Sequence, residues 1–367
     1  MIMHPRSRKT FQFSFSALAS QRQNQIEWGF NCTLSVAQRT MTSPVERVDV
    51  VGVGLNATDT IIRLPHFPTL DSKVRVLSSD IRAGGQVASA MVACQRWGLR
   101  TRYVGKVGDD WAADFQQQQF DAAGVESHLI REPNCASPAS YILVDAKCGE
   151  RTVLWGRDPR VELHPDDLRR EWVVNASALL VDGHDTAAAA QAARWAREAG
   201  NPVVGDFDNL YGGVEVLLEY VDHIITSLEF PGRLIGVRDP IQALPRIHAK
   251  FKCHLTAATL GRNGVIAWDG VRFIYVPAFR VEAIDTTGAG DVFHGAYVYG
   301  IVRGMSLEEN LEFSCAAAGL ACNAVGARAG IADLEAIEQL IRTGERNEPL
   351  YQPEDLDRAA NEVKVAG

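Results

Sequence analysis

Residues 284–296 read IDTTGAGDVFHGA, and this stretch decides the fold because it joins a strand-like segment to a helix-like one. An apolar segment precedes it, and an apolar run with helical character continues to Val302. Glycine and alanine let the backbone turn sharply and leave amide N–H groups uncovered. At the start of a helix, such amides point toward an anion and lie at the positive end of the helix dipole. The stretch therefore predicts an anion-binding loop at Gly288, Ala289 and Gly290.

Asp291 follows this loop directly. A carboxylate beside an anion site is electrostatically unfavourable unless it has a chemical task. The task that fits is to accept a proton from a hydroxyl group as its oxygen attacks a phosphate. The alternative is a glycine-rich turn that caps a core helix, with Asp291 as an ordinary acidic residue of the first turn.

The composition of the chain argues against two classes of binding partner, nucleic acids and membranes. The 367 residues are 46% apolar and carry a net charge of −8, without a long run of lysine or arginine, so we expect no nucleic-acid partner. No apolar, uncharged stretch reaches the roughly 18 residues that a membrane-spanning helix needs, so we expect no membrane partner. The seven cysteines include no Cys-x-x-Cys pair. This usage is typical of reduced thiols, and we expect a cytoplasmic protein.

The chain divides into three parts by composition. Residues 1–44 are rich in basic and hydroxyl residues, and we predict a disordered or mis-assigned N-terminal extension because Met41 immediately precedes the first convincing strand. A targeting peptide is the alternative. One α/β domain is predicted over residues 45–345, and residues 346–367 are predicted to form a loose polar tail.

Strand-like segments alternate with helix-like segments over most of this domain. The alternation predicts a three-layer sandwich, with a mainly parallel central sheet between two layers of helices. Ligands of such sheets gather at the carboxyl ends of the strands. Two half-exposed segments, near residues 60–82 and 140–155, do not fit the sandwich and predict a small β-sheet lid.

A glycine pattern at residues 52–57 raises a different possibility. GVGLNA matches the G-x-G-x-x-A fingerprint of dinucleotide-binding domains, which requires a helix directly afterwards. Pro65 and Pro68 interrupt the following segment and prevent that helix. A nicotinamide-dependent oxidoreductase is therefore not favoured.

Three motifs resemble those of the ribokinase-like (PfkB) carbohydrate kinases. DTTGAGDVF at residues 285–293 resembles the C-terminal signature of that family. AGGQ at 83–86, followed by YVGKVGDD at 103–110, is similar to its N-terminal signature, and ARAGI at 327–331 resembles its closing loop. The resemblance covers about residues 46–340 and is nearest the branch of ketohexokinase and sulfofructose kinase. It implies a ribokinase-like fold and an ATP-dependent sugar kinase that uses Mg²⁺ with ATP.

The resemblance also implies roles for individual residues. Asp291 matches the catalytic base, which would accept the proton of a primary sugar hydroxyl, and residues 288–290 match the anion hole. The implied sugar contacts are Asp59, Gly84, Gly85, Gln86, Ser89 and Asp182. The implied ATP contacts are Ser227, Thr259, Gly261, Gly264 and Gly330. The implied metal positions are Glu229, which would organise Mg²⁺ through water, and Asp285 and Thr287, which hold a monovalent cation such as K⁺ in several relatives.

Departures from the family pattern keep several alternatives open. Gln86 and Ser89 stand where many relatives carry asparagine, so ketohexose-type and ribose-type sugars, including fructose and sulfofructose, all remain candidates, and a nucleoside is less favoured. Asp206 and Asp208 either hold Mg²⁺ or cap a helix, and His184 either contacts substrate or has a structural role. The rival function is a non-catalytic sugar- or nucleotide-binding homologue. The lid strands also predict a homodimer.

Overall fold

The computed structural model describes residues 45–147 and 149–366. The expectation for residues 1–44 therefore lies outside the described residues, as does Cys148. The described chain contains thirteen strands: β1 (Val50–Val53), β2 (Ala57–Leu64), β3 (Ser78–Gly84), β4 (Thr101–Val107), β5 (Glu126–Arg131), β6 (Ala139–Asp145), β7 (Arg151–Gly156), β8 (Ala178–Asp182), β9 (Val203–Phe207), β10 (His223–Ser227), β11 (Leu255–Thr259), β12 (Val265–Trp268) and β13 (Phe273–Val276).

Helices connect most of these strands. They are α1 (Gln86–Arg96), α2 (Trp111–Ala123), α3 (Arg170–Val174), α4 (Thr186–Glu198), α5 (Val214–Leu218), α6 (Phe230–Ile235), α7 (Pro240–Phe251), α8 (Ala289–Arg303), α9 (Leu307–Ala321), α10 (Leu334–Thr343) and α11 (Pro353–Ala366). No helix of the described residues combines the length and the apolar character needed to cross a lipid bilayer.

The larger sheet has nine strands in the order β13-β12-β11-β10-β9-β8-β1-β4-β5. Its strands are parallel except β12 and β13, which run antiparallel to their neighbours. Helices cover both faces, so the sheet is buried on both sides, as a parallel sheet requires. In β1, Val50 packs with one layer, whereas Val51 and Val53 pack with the other. The predicted three-layer ribokinase-like sandwich is confirmed.

The smaller sheet has four strands in the order β3-β2-β6-β7. β2 and β6 are parallel, and the two outer pairs are antiparallel. One face buries Ile61, Ile142 and Val144, whereas every residue of β7 is exposed. This sheet is the one predicted from the half-exposed segments near residues 60–82 and 140–155. In the first segment, β2 ends at Leu64 and β3 begins only at Ser78. We call it the lid sheet.

Helix α8 is positioned by a close contact with α1. A Cβ atom at Gly295 would lie 3.0 Å from the carbonyl oxygen of Ala90, so glycine lets the two helices approach. The thiol of Cys94 donates to the carbonyl oxygen of Gly295 at 3.2 Å. This packing holds the first turn of α8, which carries Asp291, against the centre of the larger sheet.

The prediction of a loose tail over residues 346–367 is wrong for the described part of that segment. Helix α11 buries Leu356 and Ala360 against Trp268 and Phe273. The two buried residues are four positions apart and so lie on one face of a helix. The polar composition of the remaining positions conceals this short apolar stripe in the sequence.

Candidate active site

A cavity of about 820 Å³ lies between the lid sheet and the carboxyl ends of the parallel strands. This volume is within the range of roughly 300–1,000 Å³ that is typical of small-molecule sites. Its wall is formed by β2, β6 and β7 of the lid sheet, by loops after β9, β10 and β11, by the loop before α8 and by α9. The site therefore lies at the edge of the sheet that the sequence predicted.

The loop before α8 is held by a buried carboxylate. Asp285 is fully buried, and its oxygens accept from the amides of Thr287 and Gly326, both at 2.9 Å. Gly288 is the residue that precedes the helix and has φ of 79°, a conformation that favours glycine. A side chain there would also overlap the backbone of Ala327. These constraints place Gly288, Ala289 and Gly290 together on the cavity wall.

Asp291 lies on the cavity wall in the first turn of α8. Burial raises the pKa of its carboxyl group to about 7, against the opposing effect of the Arg151 guanidinium. The carboxylates of Asp59 and Asp208 raise this pKa further, and Arg328 lowers it. A carboxyl group with a pKa near neutrality can both accept and release a proton under physiological conditions.

Asp59 of β2 brings a second carboxylate to the cavity. Its Oδ1 accepts a hydrogen bond of 2.6 Å from the Ser140 hydroxyl. Burial raises the pKa of Asp59 to about 6, although Ser140 and Arg328 lower it. Because Ser140 and Asp59 belong to adjacent parallel strands of the lid sheet, the lid itself orients this carboxylate.

Only part of the AGGQ motif at residues 83–86 reaches the cavity. Gly85 and Gln86 line the wall, and Gly85 has φ of 92°. The Oε1 atom of Gln86 is buried without a hydrogen-bond partner among the described residues, which marks it as available to a ligand. Gly84 lies off the wall, and a Cβ atom there would overlap the carboxylate of Asp59. The absence of a side chain at Gly84 thus makes room for Asp59.

Three further predicted contacts lie off the cavity wall. Ser89 is fully buried, and its hydroxyl accepts from Arg328 Nε at 3.4 Å. Asp182 is also fully buried, and its two oxygens accept from the amides of Leu55 at 2.7 Å and His184 at 3.0 Å. Gly330 packs against the last turn of α9. These three residues therefore lie behind the described wall, and their roles in ligand binding stay predictions.

The predicted metal positions are also separated. Glu229 is exposed at the start of α6 and is not part of the cavity wall. Asp285 is buried and is not part of the wall either. Thr287 does line the cavity, and its Oγ1 is buried without a partner among the described residues. Across the described chain, no three His, Cys, Asp or Glu side chains are grouped so as to hold a metal ion.

The remaining predicted nucleotide contacts lie together at one end of the cavity. The wall there includes Ser227, Thr259, Gly261 and Gly264. Beside them is an apolar slot formed by Ala278, Phe279, Val281, Ala318 and Gly319. We call this region the slot end, and the region around Asp59 the lid end.

Sequence reasoning missed two arginines of the lid. Arg151, at the start of β7, donates to the hydroxyl of Thr286 and so links the lid sheet to the anion-binding loop. Arg157, just after β7, lines the cavity and pairs with Asp185 at 2.8 Å. Residues 151, 153, 155 and 157 all line the cavity. The two-residue period of a strand was the available signal, since alternate side chains point to one face.

Aromatic rings complete the lid end. The His184 ring lies 4.5 Å from the Tyr211 ring and 6.3 Å from the Trp155 ring, measured between centroids. All three residues line the cavity. Such a cluster offers apolar faces together with polar edges, which suits a ring that carries hydroxyl groups.

His294 and Asp206 form a buried pair behind Asp291. His294 Nδ1 donates to the carbonyl oxygen of Gly290 at 2.7 Å and lies 3.2 Å from Asp206 Oδ2. Burial lowers the pKa of His294 to about 4. Burial and the nearby carboxylates of Asp291 and Asp208 raise the pKa of Asp206 well above its usual range. His294 is thus a buried core residue that also fixes the peptide next to Asp291.

Comparisons with known proteins agree with this geometry. The family model described as "pfkB family carbohydrate kinase" matches residues 48–334. The chain is 26% identical over 293 residues to the ATP-dependent ribose-1-phosphate kinase of Halopiger xanaduensis, which covers 77% of this chain and 94% of that protein. It is 23% identical over 305 residues to the ketohexokinase of Mus musculus. This alignment covers 77% of this chain and 98% of the ketohexokinase. A crystal structure of a putative ribokinase from Agrobacterium tumefaciens matches with a TM-score of 0.76 at 28% identity, covering 81% and 98%.

Proposed function

Because the chain belongs to the pfkB family of carbohydrate kinases, we propose that it transfers the γ-phosphate of ATP to a primary hydroxyl of a small sugar, with Asp291 as the general base. The observation that carries this proposal is a cavity carboxyl group with a pKa near 7, one residue after a turn of small residues that begins a helix. A base of this kind can take the hydroxyl proton as the oxygen attacks the phosphoryl group.

The amides at the start of α8 would stabilise the transferring group. Negative charge on a phosphoryl group is stabilised by N–H donors at the positive end of a helix. Asp285 and Gly288 hold this loop in place before substrate arrives, so no reorganisation is needed at the moment of transfer. Arg151 adds a cation from the lid, within electrostatic reach of Asp291.

The lid end would hold the sugar. Asp59 offers carboxylate oxygens to sugar hydroxyls, and Gln86 offers a buried amide oxygen without another partner among the described residues. Both lid arginines of the described wall are engaged by neighbours, since Arg157 pairs with Asp185, and Arg151 donates to Thr286 and acts on the charge of Asp291. We therefore propose a neutral ketohexose- or ribose-type sugar, and sulfofructose is disfavoured.

The residues present fit Mg²⁺ that is bound mainly through the nucleotide. Mg²⁺ commonly takes one or two carboxylates together with substrate phosphates, so a cluster of three protein ligands is not required. Asp208 is exposed on the cavity wall close enough to raise the pKa of Asp291, and it is the residue we propose for this role. When bound, the ion neutralises negative charge on the phosphates.

The other metal positions do not enter the proposal. Glu229 lies outside the cavity wall, and both oxygens of Asp285 already accept from backbone amides. Thr287 is the implied position that does lie on the wall, and a single hydroxyl does not make a cation site, so K⁺ is left out.

The test is a coupled assay of ADP release, screened over ketoses, aldoses, their phosphates and sulfonates, and nucleosides. We expect ADP formation that depends on one neutral sugar and is lost in Asp291→Asn. Binding of sugar or ATP without any turnover would instead support the rival, a non-catalytic homologue. The variant Asp357→Asn changes an exposed carboxylate on α11 and serves as the matched control.

We also propose a homodimer formed through the outer face of the lid sheet. Ile81, Tyr141 and Leu154 lie in one row across the sheet, with Thr60 between the first two, and are 50%, 55% and 52% exposed. Large exposed apolar side chains grouped on one face of a sheet are typical of a protein contact. Sedimentation velocity should show a dimer that Leu154→Glu converts to a monomer, and a monomeric unmodified chain would contradict this proposal.

A further inference from the structure

The chain continues past the family match, and the continuation returns to the cavity. The match ends at residue 334, yet Asn347 lies on the wall at the slot end, with Gly261, Gly264 and Ala278. Its backbone amide donates to the carbonyl oxygen of Ala278 at 2.9 Å. The segment after the family domain is therefore part of the site and not only a neighbour of it.

Neighbouring residues anchor this segment on both sides of Asn347. The guanidinium of Arg346 lies 3.5 Å from the centroid of the Phe279 ring and donates to the carbonyl oxygen of Pro277 at 2.8 Å. The amide of Leu350 donates to the Tyr275 hydroxyl at 2.9 Å. These contacts give Asn347 a defined position, because its backbone is tied to the strand and loop that form the slot.

One hydrogen bond determines which way the Asn347 amide points. Its Nδ2 donates to the carbonyl oxygen of Arg262 at 2.8 Å. A backbone carbonyl can only accept, so the NH₂ group must face the loop of Arg262. The Oδ1 atom is then left as a hydrogen-bond acceptor at the slot end.

The slot end is the part of the cavity where a nucleotide base would lie, and this step rests on the proposed function. Transfer takes place at Asp291, the sugar occupies the lid end, and the apolar slot of Phe279, Val281, Ala318 and Gly319 suits a flat ring. Adenine carries an amino group at its sixth position, which donates, whereas guanine carries a carbonyl oxygen there, which accepts.

We propose that Asn347 selects adenine over guanine in the phosphoryl donor. Its Oδ1 accepts a hydrogen bond from the exocyclic amine of adenine and opposes the carbonyl oxygen of guanine. The specificity for the nucleotide is thus supplied in part by a segment outside the family domain. The competing interpretation is a structural one, in which Asn347 only ties the Arg262 loop to the segment that follows α10.

The experiment compares ATP with GTP in the full chain and in the variants Asn347→Leu and Asn347→Ala. We expect the unmodified protein to favour ATP by at least about tenfold in kcat/KM. In both variants the ATP/GTP ratio should fall by about tenfold, which corresponds to about 1.4 kcal/mol, while the KM for sugar stays within about twofold. Asn323→Leu is the matched control, because Asn323 is exposed and lies off the cavity wall.

A second readout is the equilibrium binding of ATP and of GTP without sugar. A ratio that is unchanged in both variants, or an unmodified protein that uses GTP as well as ATP, would overturn the proposal. A chain that binds ATP over GTP through Asn347 but never releases ADP would leave this inference standing and refute the kinase assignment, so the two failures are distinguishable.

Discussion

The two ends of the cavity are lined by different kinds of protein group. The lid end is made of side chains with polar or aromatic groups, contributed by both sheets: Asp59, Gln86, Ser140, Trp155, His184 and Tyr211. The slot end is made largely of small residues and main chain: Gly261, Gly264, Ala278, Ala318 and Gly319. The loop of residues 286–290, which we propose binds the transferring phosphoryl group, is also part of the wall.

Because of this difference, the two ends differ in how easily a substitution can change their contacts. A contact made by a side chain can be exchanged by one substitution without moving the backbone, so under the proposed function we expect sugar specificity to be set at the lid end. A slot formed by the main chain depends on the path of the fold itself, so the slot end is less easily altered. We therefore expect substitutions at the centre to change kcat, and substitutions at each end to change only one KM.

The largest effect is expected at the centre. Asp291→Asn preserves the shape of the side chain but removes the base, so kcat should fall by about 10²–10⁴-fold. The KM for ATP and the KM for sugar should both change little. Steady-state kinetics against both substrates measure this, and turnover close to that of the unmodified chain would contradict the role of Asp291.

A somewhat smaller loss is expected at the lid arginine that contacts the central loop. Arg151→Ala removes a cation from the transfer site, and kcat should fall by about 10²-fold, the scale reported for one electrostatic donor. Arg151→Lys should recover part of the loss, because it keeps the charge but not the planar fork. Arg75→Ala, at an exposed position outside the cavity wall, is the control. Equal losses in Arg151→Ala and Arg75→Ala would show a general effect on the fold.

At the lid end, the expected effect falls mainly on sugar binding, with some lowering of the pKa of Asp291 because the charge of Asp59 is lost. Asp59→Asn weakens hydrogen bonds made by a charged group, each of which contributes about 1.5–3 kcal/mol, so the KM for sugar should rise by about 10–100-fold. The KM for ATP should stay within about twofold. A matching rise in both KM values would break the separation between the two ends.

At the slot end, the reverse pattern is expected. A Cβ atom at Gly319 would lie 3.5 Å from Val281 Cγ1, an ordinary contact distance, so Gly319→Ala should be tolerated. The larger Gly319→Val should fill part of the slot and raise the KM for ATP by about tenfold, with the KM for sugar unchanged. If the sugar KM rises instead, the assignment of the two ends is reversed.

A separate effect, outside the ranking of kinetic changes, concerns the stability of the fold. Burial raises the pKa of Asp291 from its usual value of 3.8 to about 7 in the folded protein. The folded state therefore holds a proton that the unfolded state has released, and this group destabilises the fold increasingly as the pH rises from about 4 to about 7.

Asp291→Asn removes this cost and should stabilise the protein at pH 8 by about 2–4 kcal/mol, since one pKa unit corresponds to about 1.4 kcal/mol. At pH 4 the variant and the unmodified chain should differ little. Thermal melts at the two pH values measure the difference, and an equal Tm at pH 8 would show that the pKa of Asp291 is not raised. In the unmodified enzyme, kcat/KM should rise with pH through about 7 as Asp291 loses its proton.

The sequence predicted the fold and the central loop because their signals are local. The alternation of strands and helices and the turn of small residues before Asp291 are read from adjacent positions and appear in the structure as expected. The expectation of a strand directly before that turn is wrong, because β13 ends at Val276 and the chain up to the turn is irregular. Gly288 has φ of 79°, a conformation that favours glycine, which explains why the sequence has glycine at this position.

The parts that were not predicted depend on long-range packing. Asp182 follows a strand that points at the cavity, yet its oxygens are taken by the amides of Leu55 and His184. Arg151 contacts Thr286, which is 135 positions away in the chain. Leu356 and Ala360 of α11 are buried by residues of β12 and β13. None of these partners can be identified from the neighbouring sequence.

The close fit between Gly84 and Asp59 constrains how this protein evolves. Any side chain at position 84 meets the carboxylate of Asp59, so Gly84→Ala is harmful while the aspartate is present and becomes tolerable once residue 59 is smaller. A double-mutant cycle should show strong coupling between the two positions. Lineages that abandon the aspartate can then acquire a side chain at position 84, and the aspartate cannot return until the glycine has been restored.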